Sequence, residues 1–203
     1  GDSRCAYCFW RNKPEAHPPI DVAATGAKLR ELRRSRRLRL QLWGGEPTIH
    51  PQFVDLCKAA SPWVAQLLVT SNGLLGPDVF ERALSPSNAL VSLSYHPRRT
   101  TLGAYLATFE RLLAVGFDVH GTAVKWPPQV DAVREWAEVM RDQHPERYQL
   151  LDCWVEADRD FVGTRDLREH PSEAKRPDHW RDPKGQKCEA GRDFVAVLFH
   201  EGG

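Results

Sequence analysis

The stretch Leu38-Arg39-Leu40-Gln41-Leu42-Trp43-Gly44-Gly45-Glu46-Pro47 decides how the chain folds. Leu38, Leu40 and Leu42 alternate with Arg39 and Gln41, so residues 38–43 read as a β-strand with one apolar face. The strand runs into two glycines, an acid and a proline. Glycines at the carboxyl end of a parallel strand let backbone approach a ligand closely. The carboxylate after them can receive a cationic group, such as a ligand ammonium. Taken alone, the same residues also make an ordinary βα turn.

Outward from this turn the chain keeps alternating. Residues 51–60 read as a short helix opened by a proline. Residues 66–70 form a second apolar run, stopped by Ser71-Asn72-Gly73. Residues 78–84 make a helical turn or two, and 90–94 a third strand ended by His96-Pro97. Residues 102–115 carry apolar side chains at 102, 105, 106, 109, 112 and 113, a helical stripe that Gly116 ends. Residues 118–125 are a fourth strand, 129–143 a helix with Val130, Val133, Trp136, Ala137 and Met140 inward, and 150–155 a fifth strand. Strands and helices in this alternation imply βαβ units and an α/β parallel sheet. Periodicity leaves open whether that sheet is doubly wound or part of a barrel.

Composition narrows the class. The 28 basic and 27 acidic residues nearly cancel, so overall charge makes no case for nucleic acid or an anionic membrane. No apolar run is long enough for a membrane-spanning helix. The chain opens on Gly1-Asp2-Ser3-Arg4-Cys5, unlike a signal peptide. Five cysteines, with only Cys5 and Cys8 close together, argue against a disulfide framework and for a reducing, cytoplasmic setting. Cys57 and Cys153 read as small core residues. The run from Arg30 to Arg39 looks like an RNA-binding patch, but it spans a helix end and a strand with inward leucines, so a solvated face is the simpler reading. His17, His96 and Lys125 each have a plain loop or surface reading.

The Cys5-Ala6-Tyr7-Cys8 loop can supply two corners of a metal or iron–sulfur site. No second pair exists for a zinc knuckle, and too few residues precede Cys5 for a thioredoxin-like strand. Three motifs in order are more informative than any one: Cys5-Ala6-Tyr7-Cys8, Gly44-Gly45-Glu46-Pro47, and Thr70-Ser71-Asn72-Gly73 after the next strand. In these the chain resembles the radical S-adenosylmethionine (SAM) enzymes over about residues 5 to 155. The loop looks like the last two cysteines of their CxxxCxxC motif, and Val91-Ser92-Leu93-Ser94 resembles their fourth strand, with Ser94 where an acid is usual. Cys188-Glu189-Ala190-Gly191, followed by an apolar strand at 194–199 and Glu201-Gly202, resembles the opening of an auxiliary-cluster (SPASM or twitch) extension. Cys188 also reads as a strand-edge cysteine.

The resemblance implies a partial (β/α)6 TIM-like barrel, with residues 1–156 as core, 157–187 as connecting segment and 188–203 as the start of the extension. It implies a 4Fe-4S cluster on Cys5 and Cys8, with SAM on Tyr7, Gly44, Gly45, Glu46, Pro47, Ser71, Asn72, Ser92, Ser94 and Lys125. Phe9 and Trp10 would shield the cluster, and Cys188 would serve an auxiliary one. The family's first cysteine falls at Gly1, and its first strand would precede that point. These 203 residues therefore read as an internal piece of a longer protein. By resemblance the activity is reductive cleavage of SAM to a 5′-deoxyadenosyl radical that abstracts a substrate hydrogen, with a peptide or protein as substrate and a flavodoxin or ferredoxin as electron donor. A small-molecule or RNA substrate is the alternative within the family. A non-catalytic zinc module is the alternative outside it.

Overall fold

The computed structural model describes residues 19–152. The expected cysteine loop with Tyr7, the end of the fifth strand with Cys153, the connecting segment and the extension with Cys188 lie outside the described residues.

Among the described residues five parallel strands form one sheet: β1 (Arg39–Leu42), β2 (Gln66–Ser71), β3 (Ala89–Tyr95), β4 (Asp118–Lys125) and β5 (Tyr148–Asp152). Their spatial order is the chain order, β1-β2-β3-β4-β5. A doubly wound sheet reverses direction at a switch point. None occurs here, so every crossover proceeds the same way and, with right-handed connections, the helices collect on one face. This is the architecture of a partial barrel, and it resolves the alternative that periodicity left open.

The helices are α1 (Val22–Arg33), α2 (Phe53–Ala60), α3 (Asp78–Ala83), α4 (Leu102–Val115) and α5 (Val130–Gln143). Helix α1 was legible only as a helix end within the arginine run. Asp21 starts it by accepting a hydrogen bond from the Ala24 N–H at 2.8 Å. Gly116 ends α4 in the left-handed conformation that glycine tolerates, φ +99°. Helix α2 begins at Phe53 rather than Pro51, because a 3-10 turn over Pro47–Ile49 and a bend use up the preceding residues. Strand β5 starts two residues earlier than the apolar run suggested.

The strands bury alternate residues against the helices. Leu40, Leu42, Leu67, Val69, Val91, Leu93, Val119 and Ala123 are buried, as are Phe53, Cys57, Phe80, Phe109, Trp136 and Met140 from the helical layer. Of the expected inward face of α5, Val130 is only half-buried. Gly121 sits between β4 and this layer: a Cβ there would lie 2.7 Å from the Tyr105 hydroxyl and 2.9 Å from the Trp136 ring. A glycine is needed for the two helices α4 and α5 to lie this close to the strand.

The opposite face carries a group of polar side chains beside Leu68, Leu90 and Val124. The register sets Thr70 beside Ser92, Ser92 beside His120, and Ser94 beside Thr122. All five side chains are half-buried. A closed TIM barrel fills this face with branched aliphatics. Hydroxyls in their place make a floor that can hydrogen-bond to something above it.

Candidate functional site at the carboxyl rim of the sheet

Ligands of parallel α/β folds bind at the carboxyl ends of strands. In this sheet those ends carry Gly44–Pro47 after β1, Ser71-Asn72 at β2, Ser94–His96 at β3 and Lys125 at β4. The described candidates from the sequence therefore share one rim or, for Ser92, the floor just below it.

Glu46 joins the first two of these motifs. One oxygen, Oε1, accepts hydrogen bonds from the Thr48 N–H at 3.1 Å, the Thr48 hydroxyl at 2.6 Å and the Ser71 hydroxyl at 2.7 Å. The other, Oε2, accepts from the Asn72 N–H at 2.7 Å. Ser71 Oγ in turn accepts from the Gly73 N–H at 3.1 Å, and Asn72 Oδ1 from the Leu74 N–H at 2.9 Å. The carboxylate is thus a strut between the tips of β1 and β2. It also caps the Pro47–Ile49 turn, with proline at the first helical position where a missing N–H costs nothing. A carboxylate has about four lone-pair sites. Four donors meet it here, three of them on Oε1, which leaves acceptor capacity on Oε2.

Gly44 and Gly45 form an open backbone surface. Among the described residues neither has a neighbouring atom within 4 Å of where a Cβ would stand, and Gly44 holds φ +132°, a conformation that favours glycine. Gly73, at φ +69°, is fixed differently: a Cβ would strike Leu93 Cδ1 at 2.7 Å. Next along the rim, the hydroxyls of Ser94 and Thr122 lie 3.0 Å apart. Burial, and then the nearby Arg99 cation, hold the His96 imidazole below its ordinary pKa, so the ring is neutral at pH 7. Arg98 stacks over the buried Trp126 ring, its guanidinium carbon 5.9 Å from the centroid.

The chain enters this rim at Gln52. Its side-chain amide accepts from the Ile20 N–H at 2.6 Å and donates to the Ile20 carbonyl at 2.8 Å. This two-way clamp ties Ile20, just before α1, to Gln52, just before α2. Among the described residues no group of three or more His, Cys, Asp or Glu side chains could hold a metal ion.

Sequence reasoning missed Thr48, Gln52, His120 and Thr122. A signal existed for Thr48, because Glu-Pro-Thr after a strand is a helix-start pattern with Glu46 as its cap. Gln52 and Thr122 have no local signal, because their partners lie 32 and 28 residues away.

The fold is a parallel α/β partial barrel with Gly44 and Gly45 at its carboxyl rim. No family model matches the chain. A GTP 3′,8-cyclase of Chlorobaculum tepidum is 30% identical over 74 residues, which is 36% of this chain and 22% of that protein. Among solved structures, native anSMEcpe with bound AdoMet and Kp18Cys peptide superposes with a TM-score of 0.61 at 15% identity, over 78% of this chain and 51% of that one. Native anSMEcpe with bound AdoMet gives 0.60 at 14% identity, over 79% and 52%. The chain thus spans about half the length of these structures and about a fifth of the curated relative. At these identities the structural likeness is one of fold.

Proposed function

We propose that this chain is the core of a radical SAM enzyme that acts on a peptide or protein. The observation that carries the reading is the Glu46 strut. It binds the Gly-Gly-Glu-Pro turn to Ser71 and Asn72 of the next strand, so two motifs 25 residues apart become one edge. Support also comes from the fold, which is shared with AdoMet-bound anSMEcpe, in one structure together with a peptide.

The residues present fit the cofactor. The open backbone at Gly44 and Gly45 leaves room for a ligand to lie against the turn. The acceptor capacity remaining on Glu46 Oε2 suits an ammonium. In this reading Cys5 and Cys8 hold the cluster and Tyr7 packs near the adenine. Gly44–Pro47 with Ser71 and Asn72 receive the methionine end, and Ser92, Ser94 and Lys125 meet the ribose or carboxylate. Together a 4Fe-4S cluster and SAM supply a 5′-deoxyadenosyl radical that abstracts a substrate hydrogen. The chain's own work is to hold the rim rigid, to offer hydroxyls from the floor and to exclude water. Residues 1–156 form the core, 157–187 the connection and 188–203 the start of an extension in which Cys188 serves an auxiliary cluster. A flavodoxin or ferredoxin supplies the electron. A small-molecule substrate is the second reading, favoured by the likeness to a GTP 3′,8-cyclase.

The test is Cys8→Ala in the full-length protein, purified without oxygen. The wild type is expected to be brown, with broad absorbance near ~400 nm as thiolate-ligated clusters have, and to release 5′-deoxyadenosine from SAM under reduction. The variant loses both. A colourless wild-type protein holding zinc, or a variant with unchanged iron and product, would overturn the proposal.

A further inference from the structure

The arginine run is a strongly charged surface that the rim does not use. Arg30, Arg33, Arg34, Arg36, Arg37 and Arg39 are all exposed. They lie where α1 ends and β1 begins, at the amino edge of the sheet. From Arg39 to Gly45 is six residues, so the cluster sits roughly 20 Å from the ligand rim at ~3.3 Å per strand residue. Three of the six have a structural reason: Arg30 and Arg33 occupy the last turn of α1 and Arg34 is its C-cap, where cations complement the helix dipole. Arg37 and Arg39 lie past the helix and gain nothing from it. The carboxylate within the run, Glu31, is engaged by Lys28 at 3.0 Å. Among the described residues no carboxylate pairs with Arg33, Arg34, Arg37 or Arg39. Like charges this close repel one another, and the cost stands unless an anion offsets it.

We infer that this surface is a docking site for an acidic polypeptide segment. Two observations choose that class. Every cation in the run is an arginine, whose planar fork matches a carboxylate in bidentate fashion. A single-stranded nucleic acid would also want aromatic platforms for its bases. Among the described residues, the aromatic ring beside the run, Trp63, is covered by the Arg30 guanidinium at 5.8 Å. Among the described residues the only strongly exposed aromatic is Trp43, on the far rim. The inference goes beyond the proposed chemistry and does not depend on it, since it needs neither cluster nor SAM.

The experiment is fluorescence anisotropy with the full chain at about 150 mM NaCl, where charges beyond ~8 Å are screened. The probes are fluorescein-labelled dodecaglutamate and a labelled dodecauridine RNA. Saturable peptide binding is expected, tighter than that of the RNA. Replacing Arg33, Arg34, Arg37 and Arg39 by serine should weaken it by roughly tenfold or more, as removal of several charge-assisted pairs would. Replacing the same four by lysine should also weaken it, because charge remains while the fork is lost. Absence of peptide binding by the wild type, tighter binding of the RNA, or a serine variant within about threefold of wild type would overturn the inference. Far-UV circular dichroism checks each variant's fold. If the fourfold serine variant fails to fold, the Arg34→Ser/Arg37→Ser pair, outside the helix and the sheet, takes its place under the same threshold.

Discussion

Replacing Glu46 by alanine should loosen the rim before any cofactor is involved. The substitution removes four hydrogen bonds at once and strands two backbone donors, the N–H groups of Thr48 and Asn72. Both residues are almost fully buried, at 6% and 9% exposure. A buried donor left without its partner costs about 1–3 kcal/mol, and hydrogen bonds to a charged group contribute about 1.5–3 kcal/mol each. Glu46 itself is only half-buried, so water recovers part of the loss, and a net destabilisation of about 3 kcal/mol is expected. For a domain of this size that lowers the melting temperature by roughly 6–12 °C. Glu46→Gln keeps the acceptor but sets an NH2 group against a backbone N–H, so it should fall between the two. The assay is thermal unfolding of metal-free protein, followed by far-UV circular dichroism. A Glu46→Ala protein melting within about 2 °C of wild type would refute the strut and leave the residue with ligand contacts alone.

Two further substitutions and titrations test the packing behind the rim. Gly121→Ala should destabilise the fold by about 1–3 kcal/mol in urea unfolding, as overpacking does, because its Cβ meets Tyr105 and Trp136 inside contact distance. Adding Tyr105→Phe should recover part of that, and full additivity of the two losses would count against the clash. Burial pushes the Cys57 thiol up to about 12. Iodoacetamide at pH 8 should therefore leave Cys57 unmodified in the folded protein and label it once urea is added, as peptide mapping by mass spectrometry reads. The unfolded thiol ionises near its ordinary pKa while the folded one stays protonated. Its contribution to stability is thus complete below that value and is lost as pH rises from about 9 towards 12.

The alternation of strands and helices was written in the chain, because period-2 and period-3.6 burial are local patterns that neighbouring residues carry. Strand β4 and helix α4 were legible to the residue, as were the glycine stop at Gly116 and the placement of Cys57 in the core. The ordered Gly-Gly-Glu-Pro and Thr-Ser-Asn-Gly motifs pointed to one edge of a parallel sheet for the same reason: each follows a strand directly. Tertiary structure alone decided the rest. Whether successive strands add in one direction depends on which edges pair, and that is a choice between distant segments. Glu46 reads as a turn carboxylate open to a ligand ammonium, yet it is anchored by Ser71 and Asn72 at the end of the next strand. Gly121 draws no notice within the strand pattern at 118–125, yet the rings from α4 and α5 require it. The polar floor of Thr70, Ser92, Ser94, His120 and Thr122 exists only because the register brings three strands side by side. What a residue is for depends on its partners in space, and a chain read in order names only its neighbours in sequence.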